Sequence, residues 1–314
     1  MWVPYNLLSP LKADVTRPAI LASEAAKNER DFVVGFILRN PVSRSWESDL
    51  LVADEDREAP LALDSRRGTV HASVNHAGKL EELIYNVRSS GAIPALAHCY
   101  HDVVKRLEGL ILKSGRGIEI VGWRVVDVEH GARWKCLPSR PSAVAQSAEL
   151  QDAPPQYHEM MRLYRESRCA TSARWRLICA GAILDAAVMQ RDPFPPNETA
   201  EEASAADSIR ITNDMLIRSN AIIMHPDLKG ATIADFHAVL EPKRQALLKG
   251  LLPSGRAEFG ANPSYHDDLA DAAVANLADL LARELLMLRL GFNAPPRATS
   301  DVVEYESLEL SGLS

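Results

Sequence analysis

The stretch MLIRSNAIIMHP, Met215 to Pro226, holds the residue types of acid–base chemistry on phosphates: Arg218, Asn220 and His225. Arginine is a permanent cation with forked donors, and histidine titrates near neutrality. They suit RNA cleavage by the 2′-hydroxyl, with His225 moving protons and Arg218 stabilising charge on phosphorus. That chemistry requires no metal or other cofactor. Apolar spacing predicts one amphipathic helix that stops at Pro226. Positions seven apart lie about 20° apart around a helix axis, so Arg218 and His225 would share a face, two turns from each other. Two such helices meeting antiparallel in a homodimer would set one arginine near the other chain's histidine. A plainer reading stands beside this one. Asp214 precedes Arg218 by four residues, the spacing of a helical ion pair worth about 0.3–0.5 kcal/mol. His225 would lie where exposed helix-end carbonyls favour an imidazolium.

Arginine followed by histidine after four to six residues also occurs at Arg66–His71 and Arg124–His130, but only Arg218–His225 falls in a helical region. A second candidate is YHEMMRLYRESRCATSARWR, residues 157–176. Arg162, Arg165, Arg168, Arg174 and Arg176 stand there against Glu159 and Glu166, with Tyr164 and Trp175 between them. The strip could contact phosphates and stack bases, or it could be a solvated helix face whose arginines pair with acids at 198–207. His98 and His101 in HCYH are spaced to share a metal on a helix, but no other pair of ligands has matching spacing. His266, Asp267, Asp268 and Asp271 open a helix, where the dipole favours acids. There is no GxGxxG, P-loop, GxSxG or HExxH, which counts against a dinucleotide oxidoreductase, a P-loop NTPase, an α/β-hydrolase or a zincin.

The elements that position these residues fall into two halves. DFVVGFIL (31–38) and SRRGTVHASV (65–74) predict strands. Residues 92–115 have helical spacing that ends at Gly115, and IEIVGWRVVDVEHGARWKCL predicts a hairpin turning at His130-Gly131. This makes an α+β domain with antiparallel strands over 1–140. A Pro/Ser/Ala/Gln-rich linker follows at 141–155. Residues 156–292 predict an all-α bundle of about five helices. Its second helix is apolar almost all round, Thr232 and Asp235 cap another, and Val274, Leu277, Leu281, Leu285 and Leu288 form a stripe on the last. Residues 293–314 form an acidic tail with Asp301, Glu304, Glu306 and Glu309.

The chain's 314 residues carry a formal charge of −7. Residues 1–150 balance, with 19 acidic and 19 basic side chains, whereas 151–314 hold 23 and 16. This is not the balance of a protein that coats nucleic acid by bulk charge. Cys99, Cys136, Cys169 and Cys179 show no CxxC spacing, as expected of thiols in a reducing compartment. No signal peptide and no membrane span are expected, which predicts a cytoplasmic protein.

The segments RLYRESRCATSARWRLICAGAILDAA and IRSNAIIMHP, with Arg, six residues and His near the end of a third helix, resemble the HEPN superfamily of helical domains. The α+β half followed by this helical half resembles the bacterial methylamine utilisation proteins MauJ. The first resemblance implies a HEPN-like bundle over about 155–290 that dimerises, with Arg218, Asn220 and His225 at the motif positions. In active members a polar residue, commonly asparagine, directly follows the arginine; here Ser219 follows and Asn220 comes second. Two functional classes result: a non-catalytic accessory or interaction module of MauJ type that recognises a protein or small ligand, or a metal-independent endoribonuclease or RNA-binding protein.

Overall fold

The computed structural model describes residues 12–41, 47–53, 61–62, 68–136, 155–189, 209–251 and 265–290. Arg66, the linker up to residue 154, the acids at 198–207 and the tail from 293 lie outside them.

Among the described residues, the first half is one seven-stranded antiparallel sheet with a long helix across it. Its strands are β1 (Lys12–Ala13), β2 (Arg30–Arg39), β3 (Leu61–Ala62), β4 (Gly68–Val74), β5 (Leu80–Ser89), β6 (Glu119–Asp127) and β7 (Arg133–Cys136), ordered β1-β7-β6-β2-β5-β4-β3. Central β2 alternates so that Phe32, Val34, Phe36 and Leu38 are buried, the period-two pattern of a strand with one covered face. α1 (Arg17–Ala25) precedes β2, and α2 (Ala92–Ser114) covers the sheet. Leu96, Cys99, Tyr100, Val103 and Leu107 of α2 recur at three- and four-residue steps against Phe36, Tyr85 and Trp123. Gly115 closes α2 with φ +64, a conformation that glycine adopts without a Cβ clash. Gly35 serves a different purpose. A Cβ there would lie 1.9 Å from Glu82 Oε1, so its absence lets Glu82 of β5 reach across β2 to Arg124 of β6 at 2.6 Å.

A buried carboxylate fastens α1 to the sheet. Asp127 accepts from Ser23 Oγ (2.5 Å), Arg30 Nε (2.7 Å) and the backbone N–H groups of Glu129 and His130. Burial works to raise its pKa, but these donors and the His130 ring outweigh it and hold the carboxyl at about 2.

The second half is helical: α3 (His158–Cys169), α4 (Ala173–Val188), α5 (Asn213–Arg218), α6 (Ile233–Leu251) and α7 (Tyr265–Arg289). α4 is central, packed against α3, α6 and α7. Thr232 and Asp235 form the expected reciprocal cap, each side chain accepting the other's backbone N–H. α6 continues through Pro242 to Leu251. Residues 272–282 of α7 are all buried, so this helix presents more than a stripe, while Leu288 is exposed.

The third helix differs from its expectation. It ends at Arg218 and does not reach Pro226. Asn220 takes φ +61. Its N–H bonds to Ile217 O, and the N–H of Ala221 bonds to Leu216 O at 2.8 Å. These two bonds make a Schellman stop, in which asparagine replaces the usual glycine.

Each half has its own core, and the start of α7 joins them. Tyr265, the first residue of α7, is buried in the sheet domain's cluster. Its ring packs edge-on against Trp123 (centroids 5.4 Å) and Tyr100 (5.8 Å). One turn on, Asp268 accepts a 2.6 Å hydrogen bond from Tyr100 Oη.

Candidate functional site

The helix break decides where the Arg–His residues lie. Arg218 is half-exposed and pairs with Asp214 at 2.9 Å, the helical ion pair anticipated from their spacing. Asn220 occupies the left-handed stop position. His225 lies beyond the turns that follow, just before the 3-10 turn Pro226–Leu228. Its Nε2 is buried without a hydrogen-bond partner among the described residues. Burial holds its pKa below the ordinary histidine value, and the charge of Lys243 adds to this against weaker opposition from Asp227 and Asp271. The shared-face geometry therefore does not form, because Asn220 turns the chain between the two side chains.

The arginine strip also divides. Arg162 and Arg165 are exposed on α3, and Arg165 pairs with Glu166 at 3.2 Å. Arg176 is fully buried, donating to Asn276 Oδ1 (3.0 Å) and to the carbonyls of Ser167 and Ala170. Arg168 meets the buried carboxylate of Asp279 at 2.6 Å, and Ser167 Oγ donates to the same group. Arg176 and Arg168 thus join a polar network between α3, α4 and α7. Its Asn276 also reaches the carbonyl of Ser219, which ties the α5 stop to the bundle core.

Arg168 and Arg174 do come together at a cleft of about 800 Å³ where the two halves meet. Its apolar wall is α2 and the start of β6, with Val104, Leu107, Ile118 and Ile120. The opposite wall is the α3–α4 connection from Arg168 to Arg174, and Asp268 and Asp271 of α7 complete it. Burial raises the pKa of Asp268, while the Tyr100 hydroxyl and the charge of Arg174 draw it back down. A concave, mostly apolar surface with a few convergent polar groups is the usual form of a ligand site.

Residues 5–136 match the family described as methylamine utilization protein MauJ, N-terminal domain. The whole chain is similar to methylamine utilization protein MauJ of Paracoccus versutus, 36% identical over 294 residues that cover 92% of this chain and 94% of that protein. The chain belongs to the MauJ family. The MauJ protein of Methylorubrum extorquens is 35% identical over 291 residues, 91% of this chain and 95% of that one. For Paracoccus denitrificans MauJ the identity is 32% over 300 residues, 94% and 97% of the two chains. No solved structure matches.

In this MauJ-family fold, other predicted groups sit apart from the cleft or serve it structurally. His98 is exposed and His101 half-buried on α2, and the described residues bring no group of metal-ligating side chains around them. None of the four cysteines forms a disulfide; Cys169 is exposed and the others are buried. Asp268 bonds to Tyr100, and Asp271 pairs with Lys243 at 3.2 Å. Among the described residues, no helix is long and apolar enough to cross a membrane.

One constellation escaped the sequence reading. Asp185 of α4 meets His237 and Glu241 of α6, with Oδ1 to Nε2 at 3.1 Å and Nε2 to Oε2 at 3.7 Å. Arg244 Nε holds the same Glu241 oxygen at 2.7 Å. The legible half of the signal was His237 and Glu241, four apart on one helix; the third member comes from a helix more than fifty residues earlier.

Proposed function

We propose that this protein serves methylamine utilisation as a non-catalytic accessory factor and binds through the cleft between its halves. The partner is a ligand or chain segment with an apolar body and a polar end. The observation that carries this reading is the cleft itself. One wall comes from the sheet domain and the other from the bundle, so both halves are needed to form it, and the similarity to MauJ proteins spans both. Arg174 is exposed at its rim and so is suited to contact a partner. The helical half is HEPN-like in this reading by the order of its helices, used here for binding.

A second reading keeps Arg218 and His225 as an RNA-cleaving pair completed in a homodimer, with Arg162 and Arg165 on the nucleic acid. What favours it is that burial biases His225 toward its neutral form, the form a general base requires. One complementation experiment separates the two. A gene-deletion strain is given wild type, Arg174→Glu or His225→Ala, and growth on methylamine is compared with growth on ammonium. The accessory reading expects wild type and His225→Ala to restore growth on methylamine and Arg174→Glu to fail. The reverse pattern, with RNA cleavage in EDTA by purified wild type but not His225→Ala, would replace it with the nuclease reading.

A further inference from the structure

We propose that Asp185, His237 and Glu241 bind one first-row divalent transition-metal ion, of the Zn²⁺ type. Each offers a ligand atom, and the three atoms lie within 4.8 Å of one another. Ligands about 2.1 Å from a common ion are separated by roughly 3.0 Å in octahedral cis geometry and 3.4 Å in tetrahedral geometry. The Nε2–Oδ1 and Nε2–Oε2 separations of 3.1 and 3.7 Å lie within a few tenths of an ångström of one or other of those values, and the two carboxylate oxygens are within 4.8 Å of each other. One imidazole with two carboxylates is a borderline donor set. It favours Zn²⁺, Co²⁺ or Mn²⁺ over Ca²⁺ or Mg²⁺, which prefer oxygen alone.

Placement on helices supports the same inference. His237 and Glu241 are one turn apart on α6, and Asp185 faces them from α4. Gly181, one turn before Asp185, permits this closeness. A Cβ there would lie 2.9 Å from Arg244 Cδ and 3.3 Å from Leu240 Cδ2. His237 is almost fully buried, whereas Glu241 keeps partial access, which gives an ion a way in. Arg244 grips both oxygens of Glu241 and approaches Asp185 at 3.5 Å. It orients the carboxylates from outside, as partners of metal ligands do. It also balances them when no ion is bound, which makes a purely structural ion-pair cluster the competing explanation.

Tag-free, full-length protein is stripped with EDTA, dialysed and titrated with Zn²⁺ by calorimetry and with Co²⁺ by visible absorption. Wild type should bind one equivalent, and Glu241→Gln and His237→Gln should each weaken binding by 100-fold or more while melting cooperatively in EDTA. Binding that is absent in wild type, or unchanged in Glu241→Gln, overturns the proposal and leaves a structural cluster. Histidine-detected NMR keeps the test decisive if His237→Gln does not fold. In wild type, one equivalent of Zn²⁺ should shift the buried imidazole of His237; shifts confined to the other histidines overturn the proposal.

Discussion

Tyr265→Ala tests whether the two halves are held by one aromatic seam. The Tyr265 side chain is only 3% exposed, with its ring edge-on to Trp123 and Tyr100. Truncating a buried aromatic costs about 3–5 kcal/mol from lost transfer energy and the cavity left behind. The two ring pairs add about 0.5–1.5 kcal/mol each beyond area, but part of this is already within the truncation range. We expect a loss of about 4 kcal/mol. Tyr265→Phe keeps the ring and should lose under about 1.5 kcal/mol. The assay is urea unfolding followed by two signals. Among the described residues, Trp123 and Trp134 are buried in the sheet half and Trp175 of the helical half is exposed, so a fluorescence change on unfolding reports mainly on the sheet half. Ellipticity at 222 nm reports mainly on the helices. Wild type should give coincident transitions, because Tyr265 belongs at once to α7 and to the sheet core. Tyr265→Ala should pull the transitions apart, with fluorescence moving at lower urea. A loss under about 1 kcal/mol with coincident curves would refute the seam as the source of coupling.

Asp127→Asn leaves Arg30 buried without its anion and should cost about 3–5 kcal/mol in the same urea assay. In wild type the Asp127 carboxyl is held at about 2, below its unfolded value, so its stabilisation is present above about pH 4 and fades as pH falls through 2. That contribution is about 2–3 kcal/mol; the variant should lack this part of the acid transition. Gly109→Ala and Gly181→Ala should differ in sign. A Cβ at Gly109 meets nothing within 4 Å, so alanine should stabilise α2 by about 0.5–1 kcal/mol. At Gly181 the same propensity gain opposes overpacking against an arginine anchored at its far end, and the net should be a loss of about 1 kcal/mol. Equal effects at both positions would show that α4 and α6 can move apart freely.

Periodicity made most of the elements legible. Phe32, Val34, Phe36 and Leu38 alternate, and Leu96 to Leu107 recur at helical steps, so β2 and α2 stand close to where the residues place them. Strand β5 was not legible, because Glu81 and Glu82 interrupt its alternation. Glu82 is a buried acid on the sheet face opposite α2, and it makes sense only with Arg124 on β6 and the missing Cβ of Gly35 between them. That reason is forty residues away in the chain. The role of Arg176 was hidden in the same way. Its partners include Asn276, a hundred residues on, so by local sequence it looked like one more surface cation.

The Arg218–His225 stretch shows where short spacing misleads. Ile217, Ala221, Ile222 and Met224 supply enough apolar periodicity to carry a helix to Pro226, and periodicity weighs heavily in such a reading. Asn220 was the contrary signal, since asparagine is the commonest substitute for glycine at a left-handed stop. Its motif position and its stop position compete for the same side chain. Once the helix ends there, Arg218 retains its pairing with Asp214, and His225 is half-buried, within reach of the charges of Lys243 and Asp271 on α6 and α7. The imidazole is therefore set by the bundle core as much as by its own segment. Any activity that His225 carries must be served by elements packed around it and not by a partner two turns back on one helix.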